Sequence, residues 1–208
     1  LSSKKWNDLP GSEKEGKEIA KLINAKLLIR ERATALAIQK ENAPYILHVA
    51  SHAFFLPEKN KRENPLYNSG IVLAGANYPE NNLRDDGILT AAEVSNLDLQ
   101  GTEMVVVSGC DSSKGEIYFG EGVYGLKRAI AVAGARSSLL SLWEVDDKAT
   151  VFFMKSFYEK LINGKSRSEA LALTQKEFRN HSNKDYRHPY YWATFQLSGD
   201  WRTINFNL

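Results

Sequence analysis

The chain has 208 residues, 43% of them hydrophobic and 11% aromatic, which suits one domain with a sizeable core and excludes a disordered segment. Its 27 basic and 25 acidic residues are interspersed and leave a net charge of +2, too weak a field to recruit nucleic acid or an anionic membrane. A single cysteine excludes an internal disulfide, and with no signal-like start or long apolar run the expected compartment is the cytoplasm. Residues 1–208 read as one domain, and the opening on Leu1 suggests a module taken from a longer chain.

Residues 12–24, SEKEGKEIAKLIN, set Ile19, Ala20, Leu22 and Ile23 along one helical face, and the spacing of Ser12 and Glu15 predicts a capping box. AKLLI (25–29) reads as a short buried strand and TALAIQKE (34–41) as a short helix starting at Thr34. YILHVA (45–50) is a second apolar strand whose end delivers Ser51 and His52 into a loop, and GIVLAG (70–75) is a third. The Asn-, Pro- and Asp-rich stretch 76–88 predicts a surface insertion outside the core, followed by a short helix, TAAEV, capped by Thr90.

TEMVVVSG (102–109) is nearly continuous in apolar residues, as a strand covered on both faces must be, and is the expected central strand. After it come a helix closed by Gly134 (122–134), a strand RSSLLSL (136–142) and a long helix that stops at Gly164. Residues 166–181 form another helix with Ser166 and Glu169 as a capping box, and YYWATFQLSG (190–199) closes the chain as a strand. Strands alternating with helices predict a three-layer α/β fold, a mostly parallel central sheet with helices on both faces.

Reactive groups in open sheets of this kind gather at the carboxyl ends of the strands, and two such ends carry Ser51-His52 and Gly109-Cys110. A thiol attacks a carbonyl as thiolate, so it needs a histidine or helix dipole to lower its pKa and a route to solvent. A lone cysteine is otherwise a small core hydrophobe. Both roles for Cys110 are open on composition and position alone.

LHVASHAFF, VVVSGCDSSKG, GEGVYGLKRAIAVAGARSSLLSLWEVDD and HPYYWATFQLSGDW, in that order, resemble the CHAT domain, a caspase-like peptidase family often attached to tetratricopeptide repeats. The resemblance runs from about Leu9 to Trp201, and its most specific block is Gly120 to Asp147. It implies a caspase-like fold and a cysteine endopeptidase acting on a protein substrate, with His52 and Cys110 as catalytic dyad and regulation by an attached or partner module of tetratricopeptide type. Neither metal nor cofactor enters such a mechanism.

The resemblance further assigns the oxyanion contacts to the backbone N–H groups of Cys110 and Ala53. Ala53 stands where the family usually has glycine, and Gly109 where alanine is common. It places the substrate pocket near the loop 141–147, with Trp143, Asp146, Asp147 and Asp111 as candidates; a carboxylate there favours a basic residue before the cut, Trp143 alone an apolar one. Asp146 and Asp147 equally suit the first turn of the following helix. The Ala53 departure motivates a competing reading, a catalytically silent scaffold of the same fold. A flavodoxin-like nucleotide binder would share the fold class but needs a glycine-rich phosphate loop that no early strand provides.

Other residues carry plainer readings. His48, inside an apolar strand, is expected as a hydrogen-bonded interior histidine, and His181 and His188 as turn or surface residues. The basic run Lys59 to Arg62 reads as a solvated loop, and NGKS (163–166) lacks the earlier glycine of a phosphate loop. Tyr190, Tyr191, Trp192 and Phe195 are expected to pack the last strand into the core.

Overall fold

The computed structural model describes residues 5–56, 65–79, 85–109, 121–143 and 146–206. Cys110, Asp111 and the run Lys59 to Arg62 lie outside them. The central sheet has the order β1-β5-β6-β7, built from Ile46–Val49 (β1), Met104–Val107 (β5), Ser137–Ser141 (β6) and Phe195–Gly199 (β7). β1, β5 and β6 run parallel, and β7 closes one side antiparallel to β6.

The period of two along β5 sorts its side chains onto two faces. Val105 and Val107 enter one apolar cluster with Leu126 and Ile130, whereas Met104 and Val106 enter another with Ile19, Phe153 and Phe157. The first face is covered by α2 (Ala35–Gln39), α3 (Ala91–Val94) and α4 (Glu121–Val132); the second by α1 (Pro10–Ile23), α5 (Asp147–Ile162) and α6 (Arg167–Arg179). This is the three-layer arrangement expected, with TEMVVVSG at its centre and all four β5 residues buried.

Local signals set most helix starts. Thr90 with Glu93, and Ser166 with Glu169, form complete capping boxes, and the Thr34 side chain accepts from the Ala37 N–H. The Ser12/Glu15 box does not form. Pro10 at the first helical position starts α1 two residues earlier, because its fixed φ and missing N–H suit that place. Ser12 then lies inside the first turn, its hydroxyl donating to the Leu9 carbonyl, and Glu15 is buried.

Residues 25–29 are not a strand. Asn24 turns the chain through a left-handed conformation (φ 51°), and Leu27 comes to lie beside Gly16 of α1. GIVLAG does form a strand, but outside the central sheet. β3 (Ser69–Val72) sits in a second, antiparallel sheet between β2 (Ala53–Phe55) and β4 (Ile88–Thr90).

The 76–88 stretch is not all outside the core. Asp85 is buried, and its carboxylate accepts from the Leu36 and Gly87 N–H groups, capping α2 from afar. At the other end of the chain, the strand predicted from 190 begins only at Phe195, which stacks on Phe153 at 4.1 Å. Residues 189–191 form a turn of 3-10 helix that leaves Tyr190 exposed.

Candidate active site

β1 and β5 are parallel neighbours, so the chain leaves both at the same edge. The two exits touch. A side-chain carbon built on Gly109 would lie 2.2 Å from the Ser51 carbonyl oxygen and 3.3 Å from the His52 nitrogen. Gly109 is therefore needed for backbone to approach backbone, and an alanine there could not keep this spacing. The Ser51 hydroxyl donates to the Val72 carbonyl, fastening the β1 exit to the second sheet.

His52 is half-buried, its ring 5.5 Å from that of the buried Trp6. Its Nε2 lies 2.8 Å from the backbone carbonyl oxygen of Asn7. A carbonyl can only accept, so Nε2 carries a proton, and the neutral tautomer compatible with this contact has its lone pair on Nδ1. Among the described residues Nδ1 has no hydrogen-bond partner. A cleft of about 1020 Å³ between α1, residues 25–30 and β1 opens at this end onto Trp6, His52 and Asn77.

The residue after His52 is set by the ladder of the second sheet. The Val72 N–H donates to the His52 carbonyl and the Leu56 N–H to the Asn68 carbonyl, and Ala53 stands opposite Ile71. Bonded pairs alternate in an antiparallel ladder, so Ala53 belongs to a non-bonded pair and its N–H turns away from β3 toward the open edge. Among the described non-glycine residues, positive φ occurs only at Asn24, Arg30 and Ala43. Alanine at position 53 thus costs no backbone strain.

Around the 141–147 loop, Trp143 is clamped by a residue the sequence did not single out. The buried Thr194 hydroxyl accepts from the Leu142 and Trp143 N–H groups at 2.9 and 3.0 Å and donates to the Trp143 carbonyl, while the indole Nε1–H donates to the Tyr190 carbonyl. Asp146 caps α5 through the Ala149 N–H. Asp147 accepts from the Gly11 N–H and so ties the start of α1 to the start of α5. Each of these carboxylates has one oxygen engaged in holding structure.

The remaining histidines separate cleanly. His48 Nε2 lies 2.8 Å from the buried Glu15 and Nδ1 lies 3.0 Å from the Tyr158 hydroxyl, an interior network as expected. Burial, reinforced by the Glu15 charge, pushes the Tyr158 phenol above its ordinary pKa. His188 is an exposed cap for the 189–191 turn, and His181 likewise serves a turn, its Nδ1 accepting from the Asn183 N–H while the ring packs against Phe152 and Tyr186.

Asn7, Trp6, Asn77 and Thr194 are the contributors that sequence reading missed. Asn7 acts through its backbone, which no side-chain pattern announces; Trp6, a lone aromatic in a polar lead, was the one available signal. Among the described residues no group of His, Cys, Asp and Glu could hold a metal ion, and no helix is long and apolar enough to cross a membrane.

The pattern of the CHAT domain matches residues 1–200. The chain is similar to tetratricopeptide repeat protein 28 of Homo sapiens, 29% identical over 218 residues that cover 93% of this chain and 8% of that protein. It is 27% identical over 216 residues to tetratricopeptide repeat protein 28 of Mus musculus, covering 93% of this chain and 9% of that protein. It therefore spans less than a tenth of the length of these relatives. Ordered blocks, a three-layer fold with two strand exits meeting at one sheet edge and a match over nearly the whole length converge: the chain belongs to the CHAT domain family, with its caspase-like fold.

Proposed function

We propose that the chain is a cysteine endopeptidase of caspase-like type that cuts a protein substrate through His52 and Cys110. One observation carries the reading: His52 has one ring nitrogen committed to the Asn7 carbonyl and the other without a hydrogen-bond partner among the described residues, beside the strand exit that ends at Gly109, one residue before the cysteine. The Nδ1 lone pair accepts the Cys110 thiol proton, and the resulting thiolate bonds to the scissile carbonyl carbon.

Negative charge then builds on the carbonyl oxygen, where the Ala53 and Cys110 backbone N–H groups stabilise it. The C–N bond breaks as imidazolium His52 returns its proton to the leaving amine. Water, deprotonated by the same ring, hydrolyses the thioester and restores the thiol. Trp143, Asp146, Asp147 and Asp111 form the substrate pocket; Trp143 offers an apolar wall, and the carboxylates favour a basic residue before the cut. The names of the relatives support an attached tetratricopeptide module; its role in the proposal is to regulate this site.

The test is cleavage of a proteome-derived peptide library. The parent chain should cut, and Cys110→Ala should lose all cutting with its folding midpoint unchanged. Cleavage that persists in Cys110→Ala overturns the proposal, and absence of cleavage together with an ordinary, slow-reacting thiol leaves a silent scaffold.

A further inference from the structure

The proposed chemistry needs His52 held in one orientation, and the group that holds it is a main-chain carbonyl on a segment with no secondary structure of its own. Something must fix that segment. At one end, the side chain of Asn77 grips the Trp6 peptide at two points: its Oδ1 accepts from the Trp6 N–H at 2.8 Å, and its Nδ2 donates to the Trp6 carbonyl at 3.0 Å. At the other end, Pro10 starts α1 and the Gly11 N–H is held by Asp147. Between the two anchors lies the Asn7 carbonyl.

Asn77 is itself placed by a tight turn. Gly75 adopts a φ of 101°, and its carbonyl accepts from the Tyr78 N–H at 2.8 Å, a conformation a residue with a Cβ would resist. The Trp6 indole completes the arrangement, wedged against the His52 ring at 5.5 Å and the Phe54 ring at 6.2 Å.

We infer that Asn77 is a positioning residue for His52, acting through the Trp6 peptide to keep the Asn7 carbonyl in place as acceptor of the Nε2 proton. The inference rests on the peptidase reading for its consequence in catalysis, and on hydrogen bonds alone for its geometry. A two-point amide grip fixes both the position and the tilt of a peptide, which one hydrogen bond cannot. When it is lost, the Trp6 indole keeps its packing but the peptide's tilt is no longer fixed, and the Asn7 carbonyl no longer holds the ring in one orientation. Asn77 is exposed, so replacing it leaves the apolar core intact.

The experiment uses the 208-residue chain with ¹⁵N-labelled histidine, in the parent and in Asn77→Ala, each also in a Cys110→Ala background. The hydrogen-bonded Nε2–H of His52 should give a slowly exchanging proton resonance in the parent that is lost in Asn77→Ala, with the thermal midpoint nearly unchanged. In the active background kcat should fall about tenfold to a hundredfold with KM unaltered, the usual consequence of misplacing a reacting group.

Asn77→Asp keeps the acceptor and loses the donor, so it should retain part of both the resonance and the rate. An Asn77→Ala protein that keeps the resonance overturns the inference, even if it cleaves. One that loses the resonance while no variant cleaves supports the positioning and counts against the peptidase reading instead.

Discussion

Two histidines four positions apart show how one strand can serve two purposes. His48, within β1, has both ring nitrogens taken by side chains, Glu15 on one helix and Tyr158 on another, in a buried setting. His52, just beyond the strand, has one nitrogen taken by a backbone carbonyl and the other unpartnered among the described residues. The first arrangement locks helices to a sheet; the second leaves a base in reach of whatever arrives at the sheet edge. The number of occupied nitrogens and the accessibility of the ring, rather than the residue type, separate the structural histidine from the candidate catalyst.

Substitutions can break this contrast. His52→Ala should remove cleavage to background, a loss of at least about a thousandfold for a group acting as both base and acid, while the melting temperature holds. Gly109→Ala should come next: its methyl group has no room beside the Ser51 carbonyl, so the two strand exits must part. Cleavage should then drop about a hundredfold, as for a comparable misplacement of reacting groups.

At His48 the effects should reverse. Glu15→Ala strips the Nε2 partner from a largely buried ring and should cost about 1–3 kcal/mol, read as a fall in melting temperature of roughly 2–4 °C per kcal/mol, with cleavage per folded molecule retained. Thr194→Val, which leaves the Trp143 N–H without its acceptor while the Leu142 N–H keeps the Thr194 backbone carbonyl, should destabilise by about 1–2 kcal/mol and raise KM more than it lowers kcat. The smallest effect belongs to Ala53→Gly. Because position 53 has no positive φ, glycine should bring no gain in rate and cost about 0.5–1 kcal/mol of stability.

Legibility in the sequence tracked how local the cause was. The capping boxes at Thr90 and Ser166 and the central run of valines were readable because the residues that decide them lie within a few positions of one another. Ser12 misled for the same reason: the pattern was present, but Pro10 two residues earlier started the helix first. AKLLI has strand composition, yet its fate depended on a helix it folds back upon, a tertiary choice that composition does not encode. Ile88–Thr90 was too short to show a period before its partner strand was known.

The candidate site followed the same division. His52 stood out by position and by resemblance, and the resemblance named its partner. The Asn7 carbonyl, the Asn77 grip and the Thr194 clamp join residues 45, 71 and 51 positions apart, through backbone groups that every residue possesses. No spacing rule marks them in advance.

The central claim is that His52 activates Cys110, and the rate of Cys110 alkylation measures it most directly. At pH 7 the parent should react far faster than a thiol of ordinary pKa, about 8.5, and His52→Ala should fall back to that ordinary rate with its fold intact. Equal, slow alkylation of both proteins would contradict the account.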